Sequence, residues 1–174
     1  MPSPTDKRNK TAYIGLLMAM ALILSYVENL ISFQPGIPGI KIGLANLAVI
    51  LCLYLFGAKE AFLLTLTKAM VSGFLFGSLF TVIYSLAGAA ASAAAMILLK
   101  KSNLFHMPIV SAVGGIVHNM GQLLVAFFVV ETYSVFYYLP VLIISGLVTG
   151  IVIGAVAALV LPYIQKITRN GGPL

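Results

Sequence analysis

The chain has 174 residues, of which 61% are hydrophobic and 8% are charged, and its formal net charge is +6. Ordinary soluble domains carry about 25% charged residues. The composition therefore excludes a soluble globular enzyme, a disordered chain and a coiled coil, and it predicts an all-α integral membrane protein. We expect the positive charge to reflect membrane topology rather than binding of nucleic acid.

Six apolar stretches follow one another along the chain and predict six transmembrane helices. A helix needs about 20 residues to cross a hydrocarbon core of ~30 Å, and the second and third stretches are shorter than that. The stretches form a single predicted domain over 11–165, between tails at 1–10 and 166–174. The predicted helices are Thr11–Phe33, Ile42–Phe56, Ala61–Phe76, Leu79–Leu99, Pro108–Val130 and Leu139–Ile164.

Helix-breaking residues separate these stretches. The segment Gln34–Gly39 contains two prolines and two glycines, so it cannot continue a regular helix. Gly77 and Ser78 form the weakest break, and the run from Ala61 to Leu99 has other points at which it could be divided. The remaining connections are too short to hold a soluble domain.

The basic residues predict the orientation of the helices. With the N-terminus inside, eight of the ten lysines and arginines fall in inner segments, Lys41 lies outside, and Lys68 lies within the third helix. Inner loops of membrane proteins are enriched in basic residues. The sequence therefore predicts a multi-pass protein of a bacterial cell membrane with both termini in the cytoplasm.

Lys68 is the most unusual residue of the predicted spans. At 1.5 Å per residue it lies roughly 12 Å from the start of its helix. A charge at mid-bilayer costs at least ~2.5–3.5 kcal/mol and needs a partner, water or a ligand. Lys68 is therefore predicted either to pair with Glu28 or to bind a solute, and the two roles are compatible.

Three further polar residues lie near the outer ends of the first two helices. Glu28 faces interfacial water or supplies the counter-charge of a pocket. Lys41 is a solvated interfacial lysine or a ligand of the same pocket. Asn46, roughly 7 Å inside by the helical rise, forms hydrogen bonds between helices or contacts the solute.

The densest polar cluster is His118, Asn119 and Gln122 in the fifth helix. His118 and Gln122 are four residues apart and share one face of that helix. The cluster is predicted to form hydrogen bonds between helices or the polar wall of a solute cavity. No metal site is predicted, because no second histidine is near in sequence.

Small residues recur at four-residue spacing in the sixth helix, at Gly146, Gly150, Gly154 and Ala158. Such ladders allow helix backbones to approach closely. Packing within the bundle is the favoured interpretation, and docking of another membrane subunit is the alternative.

Motifs that would indicate catalysis do not occur in the sequence. There is no phosphate-binding G-x-x-x-x-G-K-[ST] loop and no H-E-x-x-H motif, and Asp6 is the only aspartate. We therefore expect no enzyme activity and no cofactor, and we expect any ATP-driven transport to depend on other chains.

Three segments resemble a known family. They are GIPGIKIGLANL at 36–47, YSLAG at 84–88 and VHNMGQL at 117–123. Together they resemble the Gx transporter family, which is also known as heptaprenyl diphosphate synthase component I. The resemblance extends over nearly the whole chain.

The same pattern is similar, more distantly, to the S components of energy-coupling factor (ECF) transporters. That resemblance implies a six-helix bundle with both termini inside and an outward-facing pocket for a small solute. It also implies a membrane coupling subunit and ATPases as partners, which dock on small residues of the first helix. Gly15 and Ala19 are the nearest match here to the docking motif.

The sequence thus predicts a membrane transport protein that binds a small solute and is surrounded by membrane lipid. The alternative is a membrane accessory subunit of heptaprenyl diphosphate or quinone synthesis, and a solitary carrier is a third possibility. The predicted pocket residues are Glu28, Lys41, Asn46, Lys68, His118, Asn119 and Gln122.

Overall fold

The computed structural model describes residues 4–31 and 43–170. Within these two ranges the chain forms six α-helices and one short 3-10 helix, and it contains no β-strand. The 3-10 helix, Tyr133–Tyr138, lies between the last two α-helices. The α-helices are α1 (Pro4–Ile31), α2 (Asn46–Leu55), α3 (Ala58–Phe76), α4 (Leu79–Ser102), α5 (Met107–Val130) and α6 (Leu139–Asn170).

The six predicted helices are confirmed, although several of their ends differ. The first helix begins at Pro4 rather than Thr11, and the last continues through Pro162 to Asn170. The second begins at Asn46, after Gly43 with its positive φ of 78°. The predictions followed the apolar runs, whereas backbone hydrogen bonding continues into the polar residues at both ends of the chain.

The weak break between the third and fourth helices is real. Ser78 Oγ accepts a hydrogen bond from the backbone N–H of Thr81 at 3.3 Å, so Ser78 caps the start of α4. At its other end, α4 stops at Asn103, which adopts the left-handed conformation with φ 54°. Pro108 in the first turn then favours the start of α5.

The helices pack into a closed ring. In spatial order the ring runs α1, α3, α4, α5, α6 and α2, and α2 also contacts α3. Every helix therefore has at least two neighbours, and side chains from several helices meet in the interior.

The short helix α2 forms the centre of the apolar core. It is apolar on all sides, and every residue from Ala48 to Leu53 is buried. The apolar core consists of the buried side chains packed around this helix. They are Leu17, Val49, Ile50, Leu51, Cys52, Leu53, Ala61, Leu64, Met96, Met107, Val110 and Ala157.

The glycine ladder of α6 packs against α5. A Cβ atom added to Gly146 would lie 2.8 Å from the carbonyl carbon of Gly115, and one on Gly150 would lie 2.5 Å from Ala112 Cα. Only glycine allows so close an approach of two backbones. Packing within the bundle is thus confirmed for these glycines, while Ala158 is exposed.

Among the residues that the structure describes, four segments are long and apolar enough to cross a membrane. The outer surface of the bundle is also apolar, since Leu16, Phe74 and Leu159 are each more than 60% exposed. Such a surface is stable in lipid but not in water, so the chain is a membrane protein. The four segments are Asn9–Leu30, Leu79–Ser102, Met107–Val129 and Tyr133–Lys166.

Candidate functional site

A polar cavity of about 80 Å³ lies at the N-terminal end of α2, inside the ring of helices. Its wall is formed by residues of all six α-helices together with Gly43 and Ala45. The prediction placed seven residues at one pocket, and six of them line this cavity, whereas Lys41 lies outside the described residues. The six are Glu28, Asn46, Lys68, His118, Asn119 and Gln122.

Helical spacing explains why these residues meet. In α5, Gly115, His118, Asn119 and Gln122 follow an i, i+3, i+4, i+7 pattern, so all four lie on one face. In α3, Lys68 and Ser72 are four residues apart and line the same cavity. Two helix faces, one on α3 and one on α5, therefore carry polar groups into the interior, where apolar side chains would otherwise be expected.

Lys68 connects α3 to the start of α2. Its ammonium group donates a hydrogen bond to Asn46 Oδ1 at 3.2 Å, and the residue is only 8% exposed. Because burial of an ammonium group is costly, it must be offset by polar neighbours. The cavity supplies such neighbours in the form of amide and hydroxyl groups.

Glu28 connects α1 to the residues that precede α2. Its Oε1 accepts a hydrogen bond from the backbone N–H of Gly43. Gly43 has a φ of 78°, a conformation that favours glycine and directs its N–H toward α1. Glu28 thus has a structural contact through one of its carboxylate oxygens.

Asn119 and Gln122 lie on the same face of α5 and make different contacts. Asn119 Nδ2 donates to Leu142 O at 2.8 Å and to Ser145 Oγ at 3.3 Å, so it joins α5 to α6. Gln122 is 2% exposed, and within the described part of the chain its carboxamide forms no hydrogen bond. Gln122 nevertheless lines the cavity.

Four hydroxyl residues of the cavity wall were missed from the sequence. The Thr149 hydroxyl donates a hydrogen bond to Ser145 O at 2.8 Å, one turn earlier in the same helix. Ser72 could have been predicted from the sequence, because it lies one helical turn after Lys68 and therefore on the same face of α3. The four residues are Ser25, Ser72, Ser85 and Thr149.

A second cavity, of about 20 Å³, continues from the first toward the interior. The two share Gly43, Asn46, Gly115 and Thr149, and the smaller one is also lined by the buried residues Ser92 and Ser111. Its volume is enough for about one or two water molecules. Residues 4–31 and 43–170 contain no group of three acidic, histidine or cysteine side chains placed to hold a metal ion.

Charged groups at the opposite end of the bundle lie away from the cavity. Lys10 Nζ contacts Glu60 Oε1 at 2.6 Å, and this hydrogen bond holds the pKa of the Glu60 carboxyl below its ordinary value. Lys100 donates to Leu53 O and lies 5.0 Å from the centre of the Tyr54 ring. These contacts close the C-terminal end of α2.

The family model of heptaprenyl diphosphate synthase component I matches residues 17–160. The match spans most of the chain, and the chain therefore belongs to this family, which is also called the Gx transporter family. The family predicted from the three sequence segments is confirmed. No curated protein and no solved structure matches the chain.

Proposed function

We propose that this member of the heptaprenyl diphosphate synthase component I family is a membrane transport protein, without enzyme activity, that binds a small solute in the polar cavity. One observation carries the proposal. Polar residues from all six α-helices converge on one cavity in a chain that is otherwise apolar. Buried polar groups are costly in a membrane protein and mark solute paths.

The proposed topology has six spans, both termini in the cytoplasm and the cavity in the outer half of a cell membrane. The distribution of lysines supports it. Lys10, Lys59 and Lys100 lie at or beside the contacts around the C-terminal end of α2, opposite the cavity. Basic residues prefer the inner side of a membrane, and this preference supports an outward position for Asn46 and the cavity.

Transport in this proposal is powered by other chains, a membrane coupling subunit and ATPases of the ECF kind. The surface of α1 supports a docking role. A Cβ atom added to Gly15 would have no atom within 4 Å, and Ala19 is exposed. Small exposed residues let a partner helix approach closely.

Solute retention tests the proposal. The full chain in lipid nanodiscs is equilibrated with the small-molecule fraction of a cell extract, filtered, and analysed for retained compounds by mass spectrometry. We expect one compound to be retained by the wild type, and Lys68→Ala and His118→Ala to retain at least about tenfold less. Lys101→Ala is the matched control, because Lys101 is exposed and does not line the cavity. Equal retention by all four proteins would contradict the proposal.

A second function is favoured by the description of the family, which names a component of heptaprenyl diphosphate synthase. As an accessory subunit, the chain would hold a soluble synthase at the membrane. Its connections at the Lys100 end are short, since α4 and α5 are joined by residues 103–106 alone. Affinity purification in mild detergent separates the two functions. ATPases and a coupling subunit would co-purify with a transporter, and a soluble prenyl synthase would co-purify with an accessory subunit.

A further inference from the structure

We propose that the smaller cavity is a water site, in which one or two water molecules bind the hydroxyl groups of Ser92 and Ser111. The site goes beyond the proposed function, because it takes a different ligand and lies deeper in the bundle than the solute cavity. Three observations carry the proposal: two buried hydroxyl groups that the fold does not use, the volume and lining of the smaller cavity, and its connection to the larger one.

Ser92 of α4 and Ser111 of α5 are buried serines that line the smaller cavity. They are 4% and 6% exposed, and neither hydroxyl forms a hydrogen bond within residues 4–31 and 43–170. A buried hydroxyl without a partner is costly. In the same part of the chain, every side-chain oxygen that packing encloses fully has a partner. The two hydroxyl groups are therefore still accessible to a small ligand.

Other hydroxyl groups in these helices are satisfied locally. Thr65 donates to Ala61 O at 2.7 Å, and Thr149 donates to Ser145 O at 2.8 Å, in each case one turn earlier in the same helix. Such bonds are the common arrangement for a hydroxyl in an apolar helix. The two serines of the smaller cavity have the same option and do not use it, which favours a partner inside the cavity.

The size and lining of the smaller cavity suit water. Its volume is about 20 Å³, and one water molecule needs at least about 10–15 Å³ and about two to four polar partners. Ser92, Ser111 and Thr149 supply three hydroxyl oxygens. Gly114 leaves room beside the first of them, since a Cβ atom added there would lie 3.3 Å from Ser92 Oγ.

A metal cation would fit the smaller cavity less well. None of the described residues that line it is acidic, and a charge without compensation is costly in a low-dielectric interior. The carboxamide oxygen of Asn46 already accepts a hydrogen bond from Lys68. Water brings no charge, and it can both donate to a hydroxyl and accept from one.

The water site extends the polar interior toward the middle of the bundle. Along α4, Ser92 comes seven residues after Ser85, which lines the larger cavity, and along α5, Ser111 comes seven residues before His118. Seven residues correspond to about 10 Å of helix. Because the two helices pack antiparallel, both serines lie deeper on the same side, and the shared lining makes the polar space continuous.

Water-edited solid-state NMR on the full chain in lipid bilayers tests the proposal without any added solute. The experiment measures how fast magnetisation passes from water to ¹³C-labelled serine and threonine side chains. We expect transfer to Ser92 and Ser111 to be at least about threefold faster than transfer to Thr65. Thr65 is the matched control, because it is 3% exposed, bonds to its own helix and lines neither cavity. Ser92→Ala and Ser111→Ala assign the two signals.

Gly114→Ala then fills the smaller cavity alone. Gly114 lines this cavity and not the larger one, and the new Cβ would meet the flexible side chain of Met96. We expect the transfer rate to fall at least about twofold at Ser92 and to stay unchanged at Ser85. Gly15→Ala adds the same methyl group on the open surface of α1, and it should leave both rates unchanged.

The comparison in the wild type decides the proposal even if Gly114→Ala does not fold. Transfer to both serines as slow as transfer to Thr65 would overturn it, and so would an unchanged rate at Ser92 in a folded Gly114→Ala. We expect identical spectra in sodium chloride and choline chloride, and a shift of either serine signal that depends on sodium would assign the site to a cation instead. None of these results bears on the proposed function, which the retention experiment tests separately.

Discussion

The two ends of α2 are both buried but differ in how the space around them is filled. Around its middle and C-terminal part, Ile50, Leu51 and Leu53 are each 1% exposed and pack into the apolar core. Around its N-terminus, Lys68 and Gln122 are almost as deeply buried, yet they border an open cavity. Burial alone therefore does not distinguish a residue of the apolar core from a residue of the cavity wall, whereas the presence of unfilled polar space does.

The largest expected effect comes from the apolar core. Leu51→Ala should lower the free energy of unfolding by about 2–5 kcal/mol, because it leaves a cavity in a filled region. Gln122→Leu is the matched change at the other end, and it should alter that free energy by less than about 1 kcal/mol, because an apolar group replaces a polar group of similar size. Reversible unfolding in mixed detergent micelles measures both. If both variants lowered the free energy of unfolding equally, the proposed difference between core and cavity would be contradicted.

An intermediate effect is expected where α5 and α6 meet. Gly115→Ala should cost about 1–3 kcal/mol, since its Cβ would collide with the carbonyl oxygen of Gly146. Gly15→Ala should be neutral or stabilising by up to about 1 kcal/mol, because that position is open and alanine favours a helix. The same unfolding assay compares the two. A loss at Gly15 that matched the loss at Gly115 would argue against close packing as the cause.

The smallest effect concerns the ion pair of Lys10 and Glu60. Lys10 is 38% exposed in its side chain, so the pair should contribute less than about 1 kcal/mol. The hydrogen bond from Lys10 lowers the pKa of Glu60 in the folded protein. The contribution is therefore complete above the ordinary pKa of about 4.3 and is lost as the pH falls through the lower, folded value.

Glu60→Gln should remove that part of the acid sensitivity. Unfolding free energies measured between neutral pH and about pH 3 should fall less steeply in the variant than in the wild type. Glu131→Gln, at an exposed glutamate, serves as the control. Identical slopes in wild type and Glu60→Gln would show that the pair adds nothing to stability.

The sequence was sufficient for the helices and for the charged, imidazole and carboxamide side chains of the cavity wall, for a physical reason. An apolar run bounded by helix breakers has few alternatives to a helix in a membrane. A charged residue such as Lys68 needs polar neighbouring groups there. Ser25, Ser85 and Thr149 escaped prediction because hydroxyl groups in apolar helices commonly bond to their own backbone. Asn119 and Gln122 were indistinguishable in sequence, and only the contacts with Leu142 O and Ser145 on α6 show that Asn119 joins two helices.

The most direct test of a solute-binding cavity is an NMR measurement on Gln122. The chain contains three glutamines, Gln34, Gln122 and Gln165, so ¹⁵N-glutamine labelling gives three side-chain amide signals in nanodiscs. Gln122→Leu assigns the signal of interest, and the small-molecule fraction of a cell extract is then added. The account predicts that the Gln122 amide signal shifts while that of the exposed Gln165 stays in place. An unchanged Gln122 signal would contradict it.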